Sequence, residues 1–142
     1  MSDRVDIAYA GIHEALGIRT VEAGPDRVVL EMDVTTRVHQ PMGLLHGGAS
    51  AVIAESAASI GAFLNCDTDK EFAVGIDLNI SHLRAVSDGT IRATATPIRK
   101  GRTIHVWTIE IDDQDGNAVA VARCTLAVRP WPKQQEGEGG NQ

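Results

Sequence analysis

Residues 40–59 read Gln-Pro-Met-Gly-Leu-Leu-His-Gly-Gly-Ala-Ser-Ala-Val-Ile-Ala-Glu-Ser-Ala-Ala-Ser, a Pro- and Gly-containing loop that ends at His46-Gly47-Gly48 and runs into an Ala-rich apolar segment. Alanine is the strongest helix former and the segment lacks strand alternation, so it predicts a helix. Ala51-Val52-Ile53-Ala54 and Ala57-Ala58 leave that helix little polar surface, and a helix apolar on most sides has to be buried. Against this background the polar side chains Ser50, Glu55, Ser56 and Ser59 stand out. Glu55 demands a reason above all, because acids seldom enter a core unpaired.

Strand signals lie on both sides of this helix. Downstream, residues 72–83, 90–98, 103–112 and 118–128 are rich in Val, Ile and Thr, and Gly89, Gly101 and Gly116 sit in the turns that separate them, where a tight turn is expected to need a positive φ. Upstream, residues 18–23 and 28–34 flank Gly24-Pro25-Asp26 and read as a hairpin, preceded by a short amphipathic helix over residues 7–16 that Gly17 stops. Consecutive strands joined by short turns are expected to pair as antiparallel neighbours. One apolar helix and about six such strands predict an α+β fold in which a curved antiparallel sheet wraps the helix. A sheet of this kind keeps an open edge and leaves one flank of the helix bare, so a two-fold dimer is expected.

Length and charge bound the function. The 142 residues fit one domain, here residues 1–130, followed by a Pro-, Gly-, Gln- and Glu-rich tail over residues 131–142 that is expected to be disordered. A net charge of −6 argues against a general nucleic-acid or anionic-membrane binder, since phosphate contact needs a basic face. Cys66 and Cys124 follow no metal or disulfide spacing, and the first residues lead into no signal-like apolar run, so a reducing cytoplasm is the expected home. The apolar stretch 47–64 contains Glu55 and reads as a core helix, not as a membrane span.

His46-Gly47-Gly48, Glu55 and Ser59, in a helix preceded by Gln40-Pro41-Met42-Gly43, resemble the hotdog-fold acyl-CoA thioesterases, in the branch that carries a Glu in the central helix. One type of 4-hydroxybenzoyl-CoA thioesterase belongs to that branch. The phenylacetate-pathway thioesterases, the 1,4-dihydroxy-2-naphthoyl-CoA thioesterases and the proofreading thioesterase of enterobactin synthesis belong to the same wider group. The resemblance follows residues 5–128 in element order and is sharp over residues 40–59. It implies a hotdog fold, hydrolysis of an acyl-CoA without cofactor or metal, and a homodimer that assembles into a homotetramer. It also carries Arg84, Arg102 and Thr103 over as contacts to the CoA phosphates, near strand ends where His82 is a further cationic candidate.

The residues support this chemistry in their own right. Hydrolysis needs the thioester carbonyl polarised and a nucleophile delivered. Backbone N–H groups at a helix start are unpaired and lie at the positive end of the dipole, which makes Gly47 the candidate oxyanion donor. Glu55 either attacks the carbonyl to form an anhydride or deprotonates a water, and Ser59, one turn on, shares its face and is placed to hold that water or the carboxylate. His46 fits a role in fixing the helix start better than direct acid–base work, and Gln40 either hydrogen-bonds the carbonyl or braces the loop. Gly47 and Glu55 are eight residues apart, roughly 12 Å along a helix, too far to act on one carbonyl. Two antiparallel helices across a dimer axis would bring Gly47 of one chain to Glu55 of the other, giving two composite sites.

Competing readings carry less. His39, His46 and Glu55 match no zinc spacing, and no Gly-x-Ser-x-Gly elbow is present. A hotdog dehydratase acting on 3-hydroxyacyl thioesters would share the fold but places its His and acid differently. A noncatalytic acyl-thioester sensor would leave Glu55 without a purpose, and an acidic surface disfavours an acidic carrier protein as substrate. Met42, Leu44, Phe63 and Val74 are candidate pocket walls by position and apolarity, which leaves both aryl and medium-chain acyl groups open.

Overall fold

The computed structural model describes residues 10–133. A short helix α1 (Ile12–Leu16) leads into strands β1 (Arg19–Ala23) and β2 (Val28–Asp33), then a 3-10 turn (Thr36–Val38) and the long helix α2 (Gly47–Leu64). Four strands follow: β3 (Glu71–His82), β4 (Thr90–Lys100), β5 (Ile104–Asp113) and β6 (Ala118–Pro130). Of the helix expected over residues 7–16, the part from Ile12 is helical and residues 7–9 lie outside the described residues. All six strands join one sheet in the order β1-β2-β4-β5-β6-β3, with every neighbouring pair antiparallel, wrapped around α2 in the hotdog arrangement.

One expectation fails in an instructive way. β3 does not pair with β4, which follows it; it pairs with β6 at the sheet edge, and β4 enters between β2 and β5. The connection from β3 to β4 is a crossing, not a hairpin. Leu83 N–H donates to Val119 O, Leu45 N–H to Val86 O, and Val34 N–H to Gly89 O, so this segment passes from β6 across the loop before α2 to the end of β2. The Gly-containing turn at residue 89 ends that crossing, and its glycine holds a left-handed φ of 79°. Gly101, expected to need a positive φ, does not have one; it is glycine because a Cβ there would press on Ile104 O.

Small residues let the sheet close on the helix. α2 buries Ala49, Ser50, Ile53, Ala54, Ala57, Ala58, Gly61 and Ala62, and the facing strands contribute Ala93, Ala95 and Ala120 beside Ile91, Ile109 and Ile111. On β5, His105, Trp107, Ile109 and Ile111 alternate inward, and the Trp107 ring lies against Gly61, where any side chain would overlap it. Trp107 Nε1–H donates to His105 Nδ1 at 3.3 Å. Burial, with the Lys100 charge, holds the His105 imidazole below its usual pKa. By length and a mean hydropathy of 1.3, α2 passes as a membrane span, yet its apolar side is taken up by the sheet.

The start of the expected tail is held in place. Trp131 stacks on Phe72 with ring centroids 4.7 Å apart, its N–H donates to Lys70 O at 3.0 Å and its Nε1–H to Thr68 O at 2.8 Å. Residues 134–142 of that tail lie outside the described residues.

Candidate active site

The start of α2 is capped by an unusual residue. His46 is the N-cap, in extended conformation, and its Nδ1 accepts the Gly48 N–H at 2.7 Å where Ser or Asp is the common choice. The His46 N–H donates to Val38 O, and its carbonyl accepts from Ala49 and Ser50. His46 is thus spent on holding the helix start. Gly48 is glycine to admit that ring, since a Cβ there would stand 2.9 Å from His46 Nδ1. The donor before it, the Gly47 N–H at the first position of the helix, has no acceptor among the described residues.

His82, at the end of β3, stands directly over Gly47. A Cβ at Gly47 would lie 2.8 Å from His82 Nε2 and 3.1 Å from Cε1. A cleft of about 390 Å³ opens here, with Gln40, Gly47, Ser50, His82 and Arg84 as its polar lining and Leu44, Leu83 and Val119 among its apolar walls. The Gln40 side-chain oxygen accepts the Met42 N–H, and its backbone closes the turn through Leu44 O and the Gly43 N–H. The carbonyl end of Gln40 therefore braces the loop, and its NH₂ group is the part left for the cleft.

Glu55 lies two turns further along α2, half-buried, and makes no hydrogen bond or ion pair among the described residues. Neither a structural arginine nor a hydroxyl cap accounts for it. Its carboxylate rests on the backbone of β3 at Gly75, where a side chain would overlap Oε1. Close by, burial together with the charges of Glu55 and Asp77 pushes the Cys124 thiol up to about 12, which keeps it an inert apolar group. Ser59 sits one turn beyond Glu55, half-buried, without a hydrogen bond to it. Ser56 faces elsewhere: its Oγ pairs with His13 Nε2 at 2.8 Å and ties α1 to α2.

The candidate CoA contacts divide into two places. Arg84 borders the cleft and has its Nε 3.7 Å from Asp113 Oδ2, at the end of the sheet where β4 begins. Arg102 and Thr103 are exposed in the turn after β4, and the length of that strand separates them from Arg84 by about 30 Å. Within one chain these groups do not form one phosphate site, because β4 runs between them and carries its two termini to opposite ends of the sheet. His39 Nε2 is engaged with Ser87 O at 2.8 Å, and among the described residues no group of three or more His, Cys, Asp or Glu side chains is arranged to hold a metal ion.

Two features of the site were not recognised from the sequence: His82 over the helix start and Gly75 beneath Glu55. A lone glycine within the Val- and Ile-rich β3 was the available signal for the second, since glycine in a strand marks a bulge or a close approach. For His82 there was none, because its contact with Gly47 depends on the crossing after β3.

Comparisons with known proteins agree with this geometry. Residues 42–120 match the family described as the thioesterase superfamily. A 1,4-dihydroxy-2-naphthoyl-CoA hydrolase of Listeria monocytogenes is 41% identical over 119 residues, covering 84% of this chain and 96% of that protein. A proofreading thioesterase of Cronobacter turicensis, EntH, is 42% identical over 115 residues, covering 81% of this chain and 83% of its own length. Among solved structures, a mutant thioesterase of Pseudomonas aeruginosa superposes with a TM-score of 0.82 at 42% identity, covering 84% of this chain and 86% of the other.

Proposed function

The chain belongs to the thioesterase superfamily and is a thioester hydrolase, and from that premise we propose that it hydrolyses a small aryl- or medium-chain acyl-CoA to the free acid and CoA. One observation carries the reading: a single helix presents an unpaired N–H at Gly47 beside a cleft and, two turns later, an unpaired carboxylate at Glu55. The thioester carbonyl oxygen accepts from the Gly47 N–H, which stabilises the charge that builds there as attack proceeds. Glu55 then either adds to the carbonyl carbon, expelling CoA as its thiolate and leaving an anhydride that water cleaves, or takes a proton from the water that attacks. Both routes consume one water and yield acid plus CoA. His46 fixes the donor through its cap, the Gln40 NH₂ group contributes a second contact to the carbonyl, and Ser59 holds the water.

The reacting groups come from two chains. About 12 Å of helix separates Gly47 from Glu55, so the donor of one protomer serves the carboxylate of another. The sheet edge at β3 supports such pairing: Val74 and Ile76 are exposed there, and Phe63 is exposed on the adjacent part of α2. Arg84 meets the CoA phosphates at the cleft, with His82 beside it, while Arg102 and Thr103 reach the same coenzyme from a further copy in a homotetramer. The setting is cytoplasmic. The Listeria relative is named for an aryl-CoA, which favours an aromatic acyl group against walls such as Met42, Leu44 and Val74.

Hydrolysis of a panel of aromatic and aliphatic acyl-CoAs, followed by thiol release, tests the proposal, with Glu55→Ala run beside the native protein. Turnover should fall by several orders of magnitude in the variant. Undiminished turnover in Glu55→Ala would refute the role of Glu55, and binding of CoA esters with no turnover by the native chain would make it a sensor.

A further inference from the structure

β3 changes the face it turns to the core partway along its length. Ala73 packs inward before the change, and Leu78 and Ile80 pack inward after it, so the inward set passes from odd to even positions. The change falls at a bulge: Gly75 pairs with Leu126 and Asp77 with Thr125, leaving Ile76 as the extra residue. Gly75 is thus the last inward position of the first half, and it faces Glu55 on α2.

A Cβ at Gly75 would overlap Glu55 Oε1 and stand 3.3 Å from Cδ. The backbone of Gly75 does not occupy the left-handed region, so alanine would be conformationally acceptable there. What the glycine supplies is therefore space. Glu55 has no hydrogen bond or ion pair to orient it among the described residues, which leaves the contact with β3 as the feature that confines its carboxylate.

We propose that Gly75 is a positioning residue for the reaction: its missing side chain forms the seat of the Glu55 carboxylate, and the bulge at Ile76 turns that seat toward α2. The inference rests on the reading of Glu55 as the reacting carboxylate. A methyl group at the seat displaces the far end of a flexible side chain and leaves the surrounding fold in place, so catalysis and stability should separate.

Gly75→Ala is expected to lower kcat about 10²-fold, as a misplacement of about 1 Å can, with KM within about twofold of native and the melting temperature little changed. Glu55→Asp shortens the acid so that its carboxylate no longer reaches the added methyl. Gly75→Ala placed on Glu55→Asp should consequently cost far less than on the native chain, and on Glu55→Ala it should not change the residual rate. Native kcat in Gly75→Ala, or an equal loss in the native and Glu55→Asp backgrounds, would overturn the proposal. So would unfolding of both Gly75→Ala and the double variant, which would assign the glycine to the fold. Full activity in Glu55→Ala would be a different failure, that of the reading beneath it.

Discussion

Mixing two inactive variants provides the strongest test of a site shared between chains. Eight residues of helix at about 1.5 Å each put Gly47 and Glu55 roughly 12 Å apart on one chain, against the ~3 Å that a donor and a nucleophile must share around one carbonyl. Gly47→Val fills the approach to the donor and collides with His82, whereas Glu55→Ala removes the acid. Loss of an oxyanion donor alone costs about 10²–10³ in kcat, so each homodimer should be nearly silent. In a random mixture about half of the dimers are heterodimers, and a composite arrangement gives each of them one doubly damaged site and one intact site. Activity should therefore return to about a quarter of native, a rise of more than tenfold over either variant. The assay is thiol release from an acyl-CoA after co-refolding differently tagged chains, with tandem affinity capture to verify heterodimers. Captured heterodimers without recovery would show that donor and acid act within one chain, or that Gly47 is not the donor.

Four other outcomes follow from the same structure. Gly61→Ala adds a methyl against the buried Trp107 ring, and overpacking of this kind costs about 1–3 kcal/mol, so thermal melting should drop by several degrees despite alanine's better helix propensity. His105 is held neutral by burial, with a folded pKa below its unfolded value near 6.5. The unfolded chain then binds the extra proton first, so stability should fall as pH drops through about 6.5 and continue to fall until the folded value is reached; His105→Asn, which keeps an acceptor for Trp107 Nε1, should flatten that part of the melting-temperature profile. Arg84→Ala should raise KM for an acyl-CoA more than it lowers kcat, and leave folding intact because the Arg84 side chain is exposed and its ion pair with Asp113 is long, at 3.7 Å; a pure kcat loss would contradict a phosphate role. Replacing His46 with Ala removes the cap on Gly48, which should cost about 0.5–2 kcal/mol of stability and lower kcat; rescue of both by His46→Asn would identify the ring as a cap, and loss of kcat alone would point to direct chemistry.

The secondary structure was largely legible because it rests on local signals. The Ala-rich run after His46-Gly47-Gly48, the hairpin around Pro25, and the β-branched segments with glycine turns place α2 and all six strands within two residues at either end. β6 runs two residues past its expected end, to Pro130, where Trp131 gains a partner in Phe72, a contact no local pattern announces. The position of β3 was not legible either. Its neighbour in sequence is β4, and only the hydrogen bonds of the crossing to Val119, Leu45 and Val34 send it to the far edge beside β6.

The site divides along the same line. Gln40, His46, Gly47, Glu55 and Ser59 are close in sequence, and helical periodicity alone relates most of them to one another, so the stretch 40–59 carried both the family resemblance and the distance argument for two chains. Arg84 and Arg102 look alike as basic groups near strand ends, but an 11-residue strand stands between their ends of the sheet. The sequence by itself determined a helix with a free donor at its start and an acid two turns on, since those relations are fixed by 1.5 Å of rise per residue. Only the tertiary structure decided what meets them: His82 over Gly47 and the backbone of Gly75 under Glu55. Both contacts are made across the gap between helix and sheet, and the register of that packing is set by the bulge in β3 and the crossing after it, which no short-range pattern encodes.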